Sequence, residues 1–389
     1  MGKIHWIWLQ LALGAGAATN KIFENFDNEV DIYNASDYSK QFSDNQKSRL
    51  MNKSLEDAYK IIEECENSGY KIITPDDGEY PAVLRNISAM PLVLYMRGSF
   101  DFNSEPMISI VGTRKPSNYS VKVATRIAFA LAKANVTVVS GGAVGIDTAS
   151  HKGAILAGGK TVAVLGCGLS VRYLMKNSEL RNEIAQHGAV ISEFPPFQGA
   201  SKETFPIRNR IIAALGSGTV VVEAAKHSGS LITARFAKSY GKDIFAVPGA
   251  IFNSSYMGVN GLLEDGAIPV VTIKNILDRY EKLYPGKIDL QKAEAYDITD
   301  KGKTEEVKIK TKIEAVDNEV EFDLSPSARL TDLPPKTQQV YNALYDGKLH
   351  VNDIVQKTNL SLGEVLAQLT QLELMDKLES LPGRVYRLK

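Results

Sequence analysis

The chain has 389 residues, enough for two or three domains, and its 44% hydrophobic and 23% charged content is that of an ordinary globular protein with a real core. Its 45 basic and 45 acidic side chains cancel, which excludes an overall electrostatic pull toward polyanions, so any such binding must rely on a local basic patch. The two cysteines, Cys65 and Cys167, stand in unlike contexts and are too few for a disulfide framework or a zinc site, and a reducing cytoplasm is the default location.

The opening apolar run from Ile4 to Ala18 is interrupted by His5 and Gln10. It is too short to span a bilayer and lacks a clear basic leader and a small-residue cleavage site, so it reads as a helix and not as a signal peptide. No other segment approaches a membrane span. Residues 1–70 read as a small helical domain of SAM or helix-hairpin-helix type, with helices at Ile4 to Leu13, Ala18 to Phe26 and Gln46 to Asn67, the last closed by Gly69. The turn Leu13-Gly-Ala-Gly-Ala17 either brings backbone amides up to a phosphate or is a tight turn in a helical bundle.

From Met107 the pattern changes. Ile108 to Val111, Val136 to Ser140, Thr161 to Leu165, Ala189 to Ser192, Thr219 to Val222, Asp243 to Val247 and Ile268 to Val271 are short β-branched runs without alternation, separated by helix-length segments. Continuous apolar strands between helices predict an α/β domain over 71–284: an extended, Rossmann-like, doubly wound and mainly parallel sheet, whose ligands sit beyond the carboxyl ends of the strands. Residues 285–333 are polar and poor in aromatics, which predicts a solvated linker. Residues 334–389 predict a winged helix, with helices at Thr337 to Tyr345, Val351 to Lys357 and Leu362 to Met375 and a two-stranded wing from Lys377 to Leu388.

The chemistry gathers at strand ends. Four glycine-rich turns follow strands: Gly112 with Arg114 and Lys115; Ser140, Gly141 and Gly142; Gly166 and Gly168; and Ser228, Gly229, Ser230 with Thr233. On one sheet edge they predict a groove of backbone and hydroxyl donors suited to phosphate, the fourth lying where a helix begins. Arg114 and Lys115 add cations at its floor. In Lys202-Glu-Thr-Phe-Pro-Ile-Arg-Asn-Arg-Ile211, Arg208 and Arg210 diverge by about 200 degrees on a helix, so that one faces the groove and the other anchors the turn. Phe205 is placed to stack on an unpaired base beside Lys202 and Asn209. The alternative reading makes Phe205 core and pairs the arginines with Glu193 or Glu223. The dinucleotide fingerprint and the Walker lysine are absent, which argues against a nicotinamide or nucleoside triphosphate cofactor, and no metal-ligand spacing accompanies Asp147, His151 or Glu223.

Residues 107–272 resemble the DNA-processing protein A (DprA, or Smf) family. The resemblance is carried by Ile110-Val-Gly-Thr-Arg114, by Ser140-Gly-Gly-Ala-Val-Gly-Ile-Asp147 with His151, and by Gly159 to Gly168. It continues through Ser192-Glu-Phe-Pro-Pro196, Phe205-Pro-Ile-Arg-Asn-Arg-Ile211, Val222-Glu-Ala224, Ser228-Gly-Ser-Leu-Ile-Thr-Ala-Arg235 and Ala246-Val-Pro-Gly249. It implies a cytoplasmic, dimeric, non-catalytic protein that binds single-stranded DNA, protects it during natural transformation and helps load the RecA recombinase. Asp147, His151 and Glu223 then serve structure, as a capping carboxylate, a helix-face histidine and a strand-end acceptor. Two departures stand out: Tyr173-Leu174 where the family has Tyr-Pro, and a predicted recognition helix, Ser361 to Glu373, with acidic residues and no basic one. That helix suits protein docking or dimer support better than a DNA major groove. The same sheet also resembles cytokinin-activating phosphoribohydrolases through Gly218-Thr219 and Glu223, but their Pro-Gly-Gly is missing. An N-glycosidase acting on nucleoside monophosphates is the competing expectation.

Overall fold

A computed structural model describes residues 2–19, 22–23, 25–38, 42–171, 177–298, 335–344, 347–358, 360–374, 378–381 and 383–388. The chain divides into two compact units, Met1–Asp317 and Asn318–Lys389. The first opens with helices α1 (Lys3–Leu13), α2 (Glu29–Asn34), α3 (Asp44–Met51) and α4 (Glu56–Ser68). The helix expected over Ala18 to Phe26 does not form in its described residues, which make turns instead: Ile22 N donates to Thr19 O at 2.9 Å and Asn25 N to Ile22 O at 3.2 Å. The glycine turn at residues 14–17 therefore does not join two helices. The stretch from Gln46 to Asn67 is two helices, for a tertiary reason. At the break the indole N–H of Trp8 donates to Asn52 O at 2.8 Å, and Lys53 Nζ sits 4.8–5.3 Å from the ring centres of Trp8, Tyr33 and Tyr38. These contacts override the helical periodicity.

α1 is seated on the sheet. Gln10, buried, donates to Val93 O at 3.3 Å and Glu193 O at 2.6 Å and accepts from the Tyr95 hydroxyl at 2.7 Å. Ile7, Leu9 and Leu13 share a core with Ile72, Leu92 and Tyr95. The helical segment and the sheet edge thus bury one continuous apolar surface.

The sheet has nine strands: β1 (Lys71–Ile73), β2 (Leu94–Gly98), β3 (Met107–Val111), β4 (Thr137–Ser140), β5 (Thr161–Leu165), β6 (Gly188–Ser192), β7 (Gly218–Val221), β8 (Asp243–Ala246) and β9 (Ile268–Pro269). Their order is β1-β2-β6-β5-β4-β3-β7-β8-β9. β3 through β9 pair in parallel, as their unalternating sequences predict, because every residue of β3, β4, β5 and β6 is buried. β1 and β2, which carry no such signal, add antiparallel strands at the β6 side. The chain lays down β3 to β6 in one direction and then returns past β3 to place β7. The reversal puts a switch in strand order at the carboxyl ends of β3 and β7, the place where open α/β sheets form a ligand crevice.

Helices α5 (Asn118–Lys133), α6 (Ile146–Leu156), α7 (Ser178–Gln186), α8 (Thr204–Leu215), α9 (Ser230–Ser239), α10 (Met257–Glu264) and α11 (Lys274–Leu277) follow the strands. α5 starts because Ser117 caps it, its hydroxyl accepting from Ser120 N at 3.2 Å, and its Ala124, Ile127, Ala128 and Leu131 face packs against the sheet. α8 ends on Lys242, whose ammonium donates to Gly216 O at 2.7 Å and to Ala214 O. The start of the expected linker is ordered: α12 (Leu290–Ala295) returns to α5, with Asp289 N donating to Ala134 O at 3.0 Å. Residues 299–334 lie outside the described residues. Among the described residues no helix is long and apolar enough to cross a membrane.

The second unit is a winged helix: α13 (Pro335–Ala343), β10 (Leu349–His350), α14 (Val351–Thr358), α15 (Leu362–Leu374), β11 (Leu378–Leu381) and β12 (Val385–Leu388), with sheet order β10-β12-β11. Val340, Ile354, Val365, Leu369 and Leu378 form its core. Glu364 of α15 is used locally: it accepts from Ser361 N at 2.9 Å and pairs with Lys336 at 2.7 Å, which holds its carboxyl down at about 2.

Candidate nucleic-acid interface

At the β3–β7 crevice the loop after β3 carries Gly112, Arg114 and Lys115, and the loop after β7 leads to α9. The two are tied together: Thr113 N donates to Glu223 O at 2.8 Å, and Glu223 accepts from Ser117 N at 2.9 Å and the Ser117 hydroxyl at 3.0 Å. The Tyr256 hydroxyl closes this network at 2.8 Å from both Ser117 Oγ and Ser120 Oγ. Glu223, 1% exposed, is thus a fastening between loops, as the strand-end acceptor reading expects.

Arg114, Lys115 and Lys202 are exposed and Phe205 is half-buried. The guanidinium of Arg114 lies 4.5 Å from the centre of the Phe205 ring, with that of Arg208 at 5.9 Å. Gly166 gives the ring its floor, because a Cβ there would stand 2.9 Å from Phe205 Cδ1. Arg114 and Phe205, read from the sequence as a phosphate cation and a base-stacking ring, form one cation–π unit that joins the loop after β3 to α8 above the turn after β5.

Arg208 and Arg210 do not divide their roles as expected. Both are internal, at 4% and 3% exposure. Arg208 Nη1 donates to the carbonyls of Gly141 and Val164, stitching α8 to the ends of β4 and β5. Arg210 donates to Glu193 at 2.6 Å, and Glu193 also accepts from Gly16 N at 3.3 Å, so the N-terminal glycine turn is fastened to α8. Asn209 reaches the other way, its amide donating to Gly229 O at 3.3 Å. α8 therefore holds three turns in register, and its arginines serve that frame.

The glycine turns divide likewise. Ser140 is buried and donates to Ile110 O at 2.7 Å. A Cβ at Gly112 would meet Ile146 at 2.6 Å, at Gly141 it would meet Asp147 Oδ2 at 2.5 Å, at Gly142 Leu165 at 2.9 Å, and at Gly168 the carbonyl oxygens of Pro195 and Pro196 at 2.1 Å. Gly168 N already donates to Gln198 O at 2.8 Å. These glycines, expected to open onto a groove, admit other parts of the same chain. Gly229 differs, since a Cβ there would meet nothing within 4 Å. It precedes α9, where Ser228 Oγ and Ser230 Oγ lie 2.8 Å apart and Thr233 is buried. The amides of Ser230, Leu231 and Ile232 are turned inward to Ser228 Oγ, Ser228 O and Gly229 O, which leaves the Gly229 N–H without a partner among the described residues.

Beneath the floor, burial raises the Asp147 carboxyl above its ordinary range, while Arg208 and the Ala143 N–H, which donates to it at 3.3 Å, pull the other way. His151 is fully buried, 2.7 Å from Thr161 Oγ1, and burial together with the Arg208 charge lowers its imidazole to about 3. Lys226 and His227, exposed beside Ser228, were passed over in the sequence although they sit inside the motif that marked this turn. Tyr173-Leu174 lies outside the described residues.

Residues 71–281 match the family described as DNA recombination-mediator protein A, and residues 325–384 match the DprA winged helix domain. The Smf protein of Synechocystis is 30% identical over 344 residues, spanning 85% of this chain and 83% of that protein. The DNA processing protein DprA of Streptococcus pneumoniae is 39% identical over 205 residues, 53% of this chain and 72% of its own. An X-ray structure of S. pneumoniae DprA covers 70% of this chain and 97% of its own at 32% identity, with a TM-score of 0.63. A Helicobacter pylori DprA structure, described for its single-stranded DNA binding mode, covers 55% and 97% at 31% identity, with a TM-score of 0.50.

Proposed function

Because this chain belongs to the DNA recombination-mediator protein A family, we propose that it is a cytoplasmic, homodimeric protein that binds single-stranded DNA at the β3–β7 crevice without catalysing a reaction. In this reading it shields the incoming strand in natural transformation and loads the RecA recombinase onto it. The observation that carries the reading is the Arg114–Phe205 unit, with the ring centre 4.5 Å from the guanidinium and the ring on the helix whose Asn209 also holds the open Gly229 turn. A cation that tracks phosphate, a planar surface for an unpaired base and an unshielded backbone N–H together suit a single strand. N-glycosidase chemistry at Glu223 draws no support, because that carboxylate is buried and engaged by Ser117. In the winged helix, Glu364 fastens Ser361 and Lys336, and α15 presents no basic residue, which favours protein docking or dimer support.

The test is fluorescence anisotropy of a labelled single-stranded oligonucleotide, with the matching duplex as control, titrated in salt. Single-strand preference is expected, and Arg114→Ala and Lys202→Ala should each flatten the log–log salt slope by about 0.7 as one phosphate contact is lost. No binding of either nucleic acid at low salt overturns the reading, and nucleoside monophosphate cleavage, with its dependence on Glu223→Gln, is then the assay to run.

A further inference from the structure

The loop after β8 displays an aromatic side chain that nothing in the fold uses. Asn253 N donates to Ala250 O at 3.1 Å, closing a turn whose two corner residues are Ile251 and Phe252. They are 76% and 98% exposed. Turn corners ordinarily carry glycine, proline, asparagine or aspartate, for conformational reasons that two large apolar residues do not share. Leaving both side chains in water also forgoes the stabilisation that burying them would give.

The turn is braced on both flanks by contacts to other loops. Asn260 clasps Gly249 from both sides, accepting its N–H and donating to its carbonyl, each at 3.2 Å. A Cβ at Gly249 would lie 1.9 Å from the Tyr256 ring, and Tyr256 is bonded to Ser117, which ends the loop that follows β3, and to Ser120 in the first turn of α5. On the other side Gly258 N and Val259 N donate to Ala224 O, at 2.8 and 3.2 Å, on the loop that follows β7. The backbone on either side of Phe252 is therefore tied to the loops that follow both β3 and β7.

We infer that Phe252 is a stacking platform for an unpaired base of the strand whose phosphates pass the β3–β7 crevice, an extension of the site that rests on the single-strand reading above. The ties to the loops after β3 and β7 put this turn at the carboxyl edge of the sheet that the strand follows, which favours the strand over an apolar protein face as the occupant. A ring presented on a braced backbone stacks on any base without hydrogen-bond readout, so the contact adds affinity and footprint and leaves sequence preference unchanged.

The experiment compares wild type, Phe252→Ala and Phe252→Tyr for binding to a mixed-sequence single-stranded oligonucleotide and to an abasic oligonucleotide of the same length. Phe252→Ala should bind the mixed strand about five- to tenfold more weakly with an unchanged salt slope, Phe252→Tyr should match wild type, and all three should bind the abasic strand alike. Wild-type binding with no loss in Phe252→Ala, or an equal loss on the abasic strand, overturns the platform and leaves the crevice reading standing. Failure of wild type to bind any single strand removes both. If sedimentation velocity shows that Phe252→Ala alters the oligomeric state while single-strand affinity per protomer is kept, the turn is a contact between copies and the inference falls.

Discussion

The turn after β5 and the turn before α9 are both built from glycine and other small residues, yet one is closed by the protein and the other is open. At Gly168 a Cβ would press to 2.1 Å against two carbonyl oxygens, and the amide is already bonded to Gln198. At Gly229 a Cβ would meet nothing within 4 Å, and the amide has no partner among the described residues. Glycine marks a place where something comes close to the backbone. Whether that is another stretch of the same chain or a ligand from outside is decided by tertiary structure, here by which strand ends lie under α8 and which flank the switch in strand order.

The comparison breaks first at Gly168. Gly168→Ala drives a methyl into backbone that cannot move without shifting Pro195 and Pro196, and should cost about 1–3 kcal/mol or more in urea denaturation. A change near zero would mean that the proline loop yields and that the turn after β5 is open after all.

The closed side has a second signature, in pH. Thr161 Oγ1 donates to Val138 O at 2.8 Å, so in its contact with His151 it accepts from Nδ1–H, which leaves Nε2 unprotonated and without a partner among the described residues. Protonation there would bury an unpaired N–H bearing charge, consistent with an imidazole lowered to about 3. With an ordinary value of about 6.5 when unfolded, His151 contributes fully above that pH, and its contribution falls as pH drops toward 3. Denaturation between pH 7 and 5 should show a component of about 1.4 kcal/mol per pH unit below about pH 6 that His151→Gln removes. An identical pH slope in the two proteins would show that the folded state admits a proton at this position.

The sequence made the sheet legible because burial on both faces writes itself as unbroken β-branched runs, and the winged helix because its elements are locally consistent. β1 and β2 were not legible: at three and five residues, pairing antiparallel at an edge, they have no distinctive period. The helix break at Asn52 to Leu55 was hidden as well, since the indole of Trp8 that causes it lies 44 residues away. In the candidate site, residue types were readable and directions were not. Arg208 and Arg210 look like ligand-facing cations until Gly141, Val164 and Glu193 are seen to take their donors. Arg114 and Phe205 look like independent contributors because 91 positions of chain separate two groups that fold into one unit.

The smallest expected change in stability is the sharpest test of the open side. Gly229 has φ −61° and ψ −22°, a conformation alanine adopts without strain. Gly229→Ala should therefore leave stability within about 0.5 kcal/mol, a lowered entropy of the unfolded chain offsetting a poorer helix cap. Affinity for single-stranded DNA should nonetheless fall, because the methyl would occupy the space through which a phosphate reaches the Gly229 N–H. The substitution separates folding from binding in one atom: if affinity is retained in a normally stable Gly229→Ala protein, the open glycine is not where the phosphate approaches, and the strand must be held by the Arg114–Phe205 side of the crevice.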